Sequence, residues 1–452
     1  MRTTWGYFIA VKLSILCISA ISAQSAHIQF DYLVVDEQPK GPIGFTGLGV
    51  LYQPEGSPLT FGMRLNNALV GERGGYYTYG YQVGAALPLG ANWSFNPVAM
   101  FTAGGGAESN DGSGGFGTLA GTLDYTSGVH TFGLGAQYSY ISTGVIQGHS
   151  VFARYVLEQP LSKPFKRPVH GQAFINTMYS PYNEHDRGTA FIGVGGRSLY
   201  KNTFAAVHLN AAVTDLGGYM EVFGGFGWHR SVGPVRLLAE LDLGTGGGGR
   251  APAGGGALWG GQAEIQLGHK NFVGLTGGWL SSIGEPFYYS FLALRVGTQL
   301  SFQTDAYQEA DAYPVYLKVE NSIRTYLGPS GFSNIGSSFE LYTHQKWSLL
   351  GETYWAFTDG RGAYAEGLFG IRHTRGPLYL ETQFGAGAGG GINLWAGAGL
   401  VFVNAGVQWP LSKSDYAGMK LIRNVYSTTP FPAWGLQFSL THSLRFKSFN
   451  NI

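Results

Sequence analysis

The chain has 452 residues, of which only 12% are Asp, Glu, Lys or Arg, about half the share usual in a soluble domain. Aromatic residues reach 15%, glycines number 72 and the formal net charge is +1. This balance gives no electrostatic case for nucleic acid, the glycines follow no Gly-X-Y period, and no stretch beyond the N-terminus is long and apolar enough for a membrane helix.

The N-terminal residues read as a secretory signal. Arg2 supplies a short positive region, Lys12 interrupts the apolar stretch once, and Leu13 to Ala20 are apolar or small before Ile21-Ser22-Ala23. Cleavage is expected near Ala23 or Ala26, so that residues 1–23 form the signal peptide and 24–452 the mature protein. Cys17, the single cysteine, lies inside this segment behind Leu16, where a lipid-anchor signal needs a small residue. The mature chain therefore has no thiol for a disulfide or a soft metal site. With no His-x-x-x-His pair either, no metal and no cofactor are expected.

Beyond residue 27, alternation with a period of two dominates, in segments of about 9–13 residues parted by Gly, Asn, Asp, Ser or Pro. That length suits a tilted strand crossing a bilayer. Roughly 22–24 such segments are expected, joined by mostly short turns, with no segment long enough for a folded plug. Along the first unit, about 27–163, a faint pattern runs from Gly74-Gly75-Tyr76-Tyr77 through Asn96-Pro97-Val98 to Gly104–Gly106. In the second, about 164–305, Gly217-Gly218-Tyr219-Met220-Glu221 precedes Gly233-Pro234, Glu240 and the glycine run Gly246–Gly249. In the third, about 306–446, Gly362-Ala363-Tyr364-Ala365-Glu366 precedes Gly376-Pro377, Glu381 and Gly389–Gly391, at an offset of about 141–145 residues. Three repeats of about eight strands follow. Whether they share one barrel or close separately is left open by the pattern.

Within the strands, one alternate row is apolar and the other small or polar. Leu237, Ala239 and Leu241 alternate with Arg236, Leu238, Glu240 and Asp242, and Ile265 with Glu264 and Gln266. Tyr316, Lys318, Glu320, Ser322, Arg324 and Tyr326 form a polar row. Charge beside lipid is costly, so Arg236, Glu240, Asp242, Lys318, Glu320, Arg324, Glu366, Arg372 and Glu381 should point into a lumen. They form there either a selectivity ring or an internal salt-bridge network. The tryptophans, among them Trp228, Trp259, Trp279, Trp347, Trp355, Trp395, Trp409 and Trp434, suit membrane interfaces. The glycine clusters lack the following Lys-Ser or Lys-Thr and helix of a phosphate cradle and serve turns and close approaches.

The last strand carries Trp434, Leu436, Phe438, Leu440, Leu444 and Phe446 on one row, and Gly435, Gln437, Ser439, Thr441, Ser443 and Arg445 on the other. Trp434, Gly435, Phe438, Leu444 and Phe446 resemble the assembly signal of Gram-negative outer-membrane β-barrel proteins, although Lys447–Ile452 follow where that family ends on an aromatic. The resemblance is one of architecture, without a subfamily. It implies an all-β, large antiparallel transmembrane barrel in the outer membrane, in contact with its lipid and, during biogenesis, with the barrel-assembly machinery. A passive channel for small molecules or an exported polymer is the leading expectation. A scaffold or conduit subunit is the alternative, because a barrel of about 24 strands without a plug would leak unless a plug or export partner protein fills it or each closed barrel has fewer strands. A lipid- or polysaccharide-acting enzyme would have to use His149, Ser150 or His442, and no nucleophile elbow or spaced carboxylate supports it, so no catalytic residue is expected. A secreted soluble β protein completes the set.

Overall fold

The computed structural model describes residues 23–35, 43–53, 57–70, 76–105, 114–141, 147–159, 169–181, 188–214, 219–247, 255–268, 270–283, 287–302, 312–327, 331–344, 346–357, 365–375, 380–391, 394–412, 415–426 and 434–449. The signal segment 1–22 and the glycine stretches 106–113 and 248–254 lie outside them.

The described chain is antiparallel strand throughout, and it closes three times. The first ring contains β1 (Ala23–Val35), β2 (Ile43–Gln53), β3 (Leu59–Val70), β4 (Tyr77–Ala85), β6 (Trp93–Gly105), β7 (Gly114–Ser127), β8 (His130–Ile141) and β9 (Gln147–Gln159), with the two-residue β5 (Leu87–Pro88) beside β6. Pairing of β1 with β9 and of β4 with β6 completes it. The second ring runs through β10 (Val169–Ser180), β11 (Thr189–Tyr200), β12 (Thr203–Ala212), β13 (Met220–Val232), β14 (Val235–Gly247), β15 (Gly255–Leu267), β16 (Asn271–Ser282) and β17 (Tyr288–Phe302), closed by β10 on β17. The third comprises β18 (Ala312–Tyr326), β19 (Ser333–His344), β20 (Trp347–Ala356), β21 (Ala365–Arg375), β22 (Leu380–Gly391), β23 (Leu394–Pro410), β24 (Asp415–Tyr426) and β25 (Trp434–Phe449), closed by β18 on β25.

The wall thus has the expected all-β antiparallel character, strand number and grouping into three units of eight. What the structure adds is that hydrogen bonding closes within each unit instead of running around all 24 strands. Closure also decides width: an eight-strand ring is only wide enough to be filled by its own side chains, so the wide hole that would call for a plug does not arise.

Alternation makes the walls two-faced. In β14, Leu241 and Leu243 are 69% and 67% exposed, whereas their neighbours Glu240 and Asp242 are each 4% exposed. In β15, Ile265 and Leu267 face out while Glu264 and Gln266 face in, and in β25, Trp434 and Phe438 face out while Gln437, Ser439 and Thr441 face in. The Leu444 and Phe446 side chains lie outside the described residues. The β25 backbone continues to Phe449, opposite Ala312, so the pairing runs past Phe446. Several hairpins turn on two residues: Gly128-Val129, Lys201-Asn202 and Gly233-Pro234. Gly128 (φ 65°), Lys201 (φ 53°) and Gly233 (φ 59°) take the left-handed conformation that such turns use.

The rings touch along a seam of outward residues. Tyr77, Tyr79 and Tyr81 on β4 pack with Ala103 of their own ring and with Ile323, Ile335 and Trp355 of the third. The Tyr79 hydroxyl donates to Ser337 Oγ at 2.6 Å, and that of Tyr81 to the Gly336 carbonyl at 2.7 Å. Asn67 donates to Thr245 of the second ring, and Tyr77 donates to the Met220 carbonyl at 3.4 Å. Trp355 is therefore buried in the seam, while Trp228, Trp259, Trp279, Trp347, Trp409 and Trp434 are exposed on the walls. The Trp395 side chain lies outside the described residues.

Candidate functional site

The polar rows converge inside each ring. The third ring is the most charged, because β18, β19, β20, β21, β22 and β24 each send at least one ionic side chain inward. Arg324 on β18 donates to Glu366 Oε1 at 2.5 Å, to Glu352 Oε2 at 3.0 Å and to Gln437 Oε1, and its guanidinium lies 3.6 Å over the Tyr354 ring. Tyr326, Tyr426 and Asn424 complete the shell of Glu366. Nearer the other end, Arg372 meets Glu320 at 3.0 Å, Glu381 at 3.3 Å and Glu340, and Lys420 meets Glu320 at 2.5 Å and Glu381 at 3.3 Å. Arg324 and Arg372 are completely buried. A buried ion is tolerated only when paired and hydrogen-bonded, and each of these carboxylates has a cationic partner.

In the second ring, Glu264 is gripped by two guanidiniums, Arg197 and Arg295, both at 2.6 Å. Arg197 also reaches Glu240 at 3.1 Å. Phe174 lies between the two arginines, with each guanidinium carbon 4.9 Å from its centroid. Glu221 accepts from Asn210, Tyr219 and Tyr289. Glu221 and Glu366 occupy the same place in successive repeats, the second residue of the fourth strand of their rings, and both are held by tyrosines. In the first ring, Asp124 pairs with Arg154 and accepts from Asn96 at 2.8 Å. Arg64 is buried there against Met100 Sδ at 3.6 Å, and Phe45, Arg64, Thr78, Met100 and Thr118 help to line a cavity of about 20 Å³.

Of the nine residues expected in a lumen, Glu240, Asp242, Lys318, Glu320, Arg324, Glu366, Arg372 and Glu381 are buried inside the second or third ring. Arg236 is half-buried and reaches Gln299 at 3.5 Å. Because the units close separately, these residues fall into two interiors, and most of them are joined there by ion pairs. Arg197, Arg295, Glu340, Glu352 and Lys420 went unnoticed in the sequence. Strand parity would have found them, since each stands on the polar row of its strand.

The residues considered for catalysis do not converge. His149 and Ser150 are consecutive in β9 and so face opposite sides of the wall, His149 exposed beside Tyr138 and Ser150 buried. His442 Nδ1 lies 2.6 Å from Asp415 Oδ1, in another ring.

No family model and no curated protein matches the chain. Among solved structures it is similar to the siderophore receptor PirA of Pseudomonas aeruginosa, at 11% identity over 94% of this chain and 81% of that one, with a TM-score of 0.31. It is similar also to the ferric enterobactin receptor PfeA of the same organism, at 9% identity, 94% and 82% coverage and a TM-score of 0.30. A third likeness is to OccAB3 of Acinetobacter baumannii, at 8% identity, 94% and 99% coverage and a TM-score of 0.22. At such scores no function transfers, and the functional reading rests on the chain's own faces and interiors.

Proposed function

We propose that the chain is an integral protein of a Gram-negative outer membrane whose three rings are sealed by their own side chains, and that it serves as a scaffold subunit of a larger surface or export assembly. One observation carries the membrane placement and the filled interiors: the walls are apolar outside and hold buried, paired charge inside, which favours the scaffold alternative over a wide channel. Outward Leu, Val, Phe and Trp residues are costly in water but suit lipid. Arg324 and Arg372 are completely buried and, with their carboxylates, occupy the interior of the third ring, which supports a filled ring over an open pore. The second ring is filled in the same way around Arg197 and Arg295.

Planar-bilayer recording on the purified, folded protein tests the seal. Silence at moderate voltage is expected, and stable conductance steps of porin size would overturn it. Extraction in mild detergent followed by pull-down tests the scaffold reading, which fails if the chain is always recovered alone.

One feature favours a second reading, a narrow conduit through the first ring. The cavity described above lies inside it, and the hydroxyls of Thr78, Thr102, Thr118 and Ser139 form part of the lining. On that reading small conductance steps occur and Thr118→Trp, which fills the cavity, abolishes them.

A further inference from the structure

The second ring carries more buried carboxylate than buried cation. Among the described residues, Glu221, Glu240, Asp242 and Glu264 are buried inside it, against Arg197 and Arg295, with Arg236 half-buried at the side of Gln299. Glu264 takes both buried guanidiniums and Glu240 shares one of them. Glu221 is held by neutral donors. Asp242 is the outlier: its Oδ2 accepts from Gln262 at 2.7 Å, its Oδ1 has no hydrogen-bond partner, and its nearest cationic candidate is His208 Nε2 at 3.9 Å. In the third ring, by contrast, each of Glu320, Glu340, Glu352, Glu366 and Glu381 has an Arg or Lys partner.

The surplus is concentrated at one point. His208 on β12 and Glu240 and Asp242 on β14 bring one ligand atom each to within 4.8 Å of one another. His208 Nε2 is 2.5 Å from Glu240 Oε1. The strand between them, β13, places Gly225 directly opposite Asp242. A Cβ on Gly225 would collide with Glu240 Oε1 and stand 2.7 Å from Asp242 Oδ1, so the absent side chain keeps the space free. We propose that His208, Glu240 and Asp242 form a binding site for a divalent transition cation of the zinc or cobalt type, which neutralises the carboxylate surplus and ties β12 to β14 inside the ring. An imidazole with two carboxylates favours such a cation over magnesium or calcium, which prefer all-oxygen shells. Ligand distances of about 2.0–2.2 Å require the short His208–Glu240 contact to open around the ion. The site's location in the ring wall makes this independent of whether the protein is a scaffold or a conduit. Spacing along the chain hides it, because His208 and Glu240 are separated by 32 residues.

The test is to refold the untagged mature chain in detergent with cobalt(II), remove outside metal with a chelator, and measure cobalt per chain together with its visible absorption. The expected result is about one cobalt per chain with a ligand-field spectrum that zinc abolishes. Asp242→Asn and His208→Gln should weaken retention at least about tenfold, the loss usual even for a residue that only supports a metal ligand. Gly225→Ala should do the same by occlusion, while Glu221→Gln, in the same ring but outside the cluster, should keep the metal. Wild-type protein that folds without retaining cobalt overturns the proposal, as do folded Asp242→Asn and His208→Gln proteins that retain it, or equal loss in Glu221→Gln. Should the variants fail to fold, the wild-type spectrum and its displacement by zinc decide alone.

Discussion

At the scale of the residue, the strongest constraints are the guanidiniums without access to solvent. Arg372 touches Glu320, Glu340 and Glu381, so deleting it leaves Glu320 and Glu381 to share Lys420 and takes the guanidinium partner from Glu340. An exposed ion pair contributes about 0–1 kcal/mol, but breaking a buried one costs about 3–5 kcal/mol because an uncompensated charge remains. Arg372→Met is therefore expected to lower folding stability by that larger amount, measured as the urea midpoint of the folded, heat-modifiable gel band in lipid vesicles. Arg375→Met, at the exposed end of the same strand, should change it by less than about 0.5 kcal/mol. Equal effects would mean that the interior pairs are not what holds the ring. Much of this chemistry is legible one residue at a time: parity in β18 points Lys318, Glu320 and Arg324 inward. The partners are not legible, because Arg324 meets Glu366 and Gln437 from strands 42 and 113 residues away, and only ring closure brings them together.

At the scale of the element, each strand is a boundary between two media, and its two rows should respond oppositely to charge. On β14 the outward Leu241 stands between the inward Glu240 and Asp242. Leu241→Arg places a charge against lipid and should destabilise the protein in vesicles by about 2–4 kcal/mol if the position lies near the bilayer midplane. The same substitution should be far milder in a detergent micelle, whose surface is softer. An indifferent response in vesicles would show that this row does not face lipid. The period-2 pattern that sets these rows also explains why strand number and the eight-strand grouping could be read from the chain while closure could not. Alternation is the same whether a strand's neighbour is the next in sequence or one about 130 residues away. Closure is decided by the long-range pairs β1–β9, β10–β17 and β18–β25, which leave no periodic trace. The glycine run Gly389–Gly391, expected to serve turns and close approaches, lies at the end of β22, where Gly389 and Gly391 pair with Ala398 and Leu394 of β23.

At the scale of the whole molecule, the seam explains an apparent inconsistency in the outward rows. Asn67, Tyr77, Tyr79, Tyr81, Asn321 and Ser337 stand on faces that are elsewhere apolar. In lipid each would leave a polar group unsatisfied, at a cost of about 1–3 kcal/mol. Packed ring against ring, they satisfy one another: Tyr79 donates to Ser337, Ser337 to Asn321 Oδ1 at 2.5 Å, and Asn67 to Thr245. Buried polar residues on outward rows thus mark where the three rings meet, and the chain should insert as one packed body rather than as three rings on tethers. The close approach of Asn67 and Thr245 allows a direct check. In the mature chain, which has no other thiol, Asn67→Cys and Thr245→Cys introduced together should form a disulfide under mild oxidation in vesicles, seen as loss of both thiols to maleimide labelling. Leu134→Cys with Leu294→Cys, on exposed faces of the same two rings, should remain free under identical conditions. If both pairs stay equally reactive, the rings are separate in the membrane and their outward tyrosines must find partners elsewhere; if only the seam pair closes, the polar residues of the walls are the contacts that hold the three barrels together.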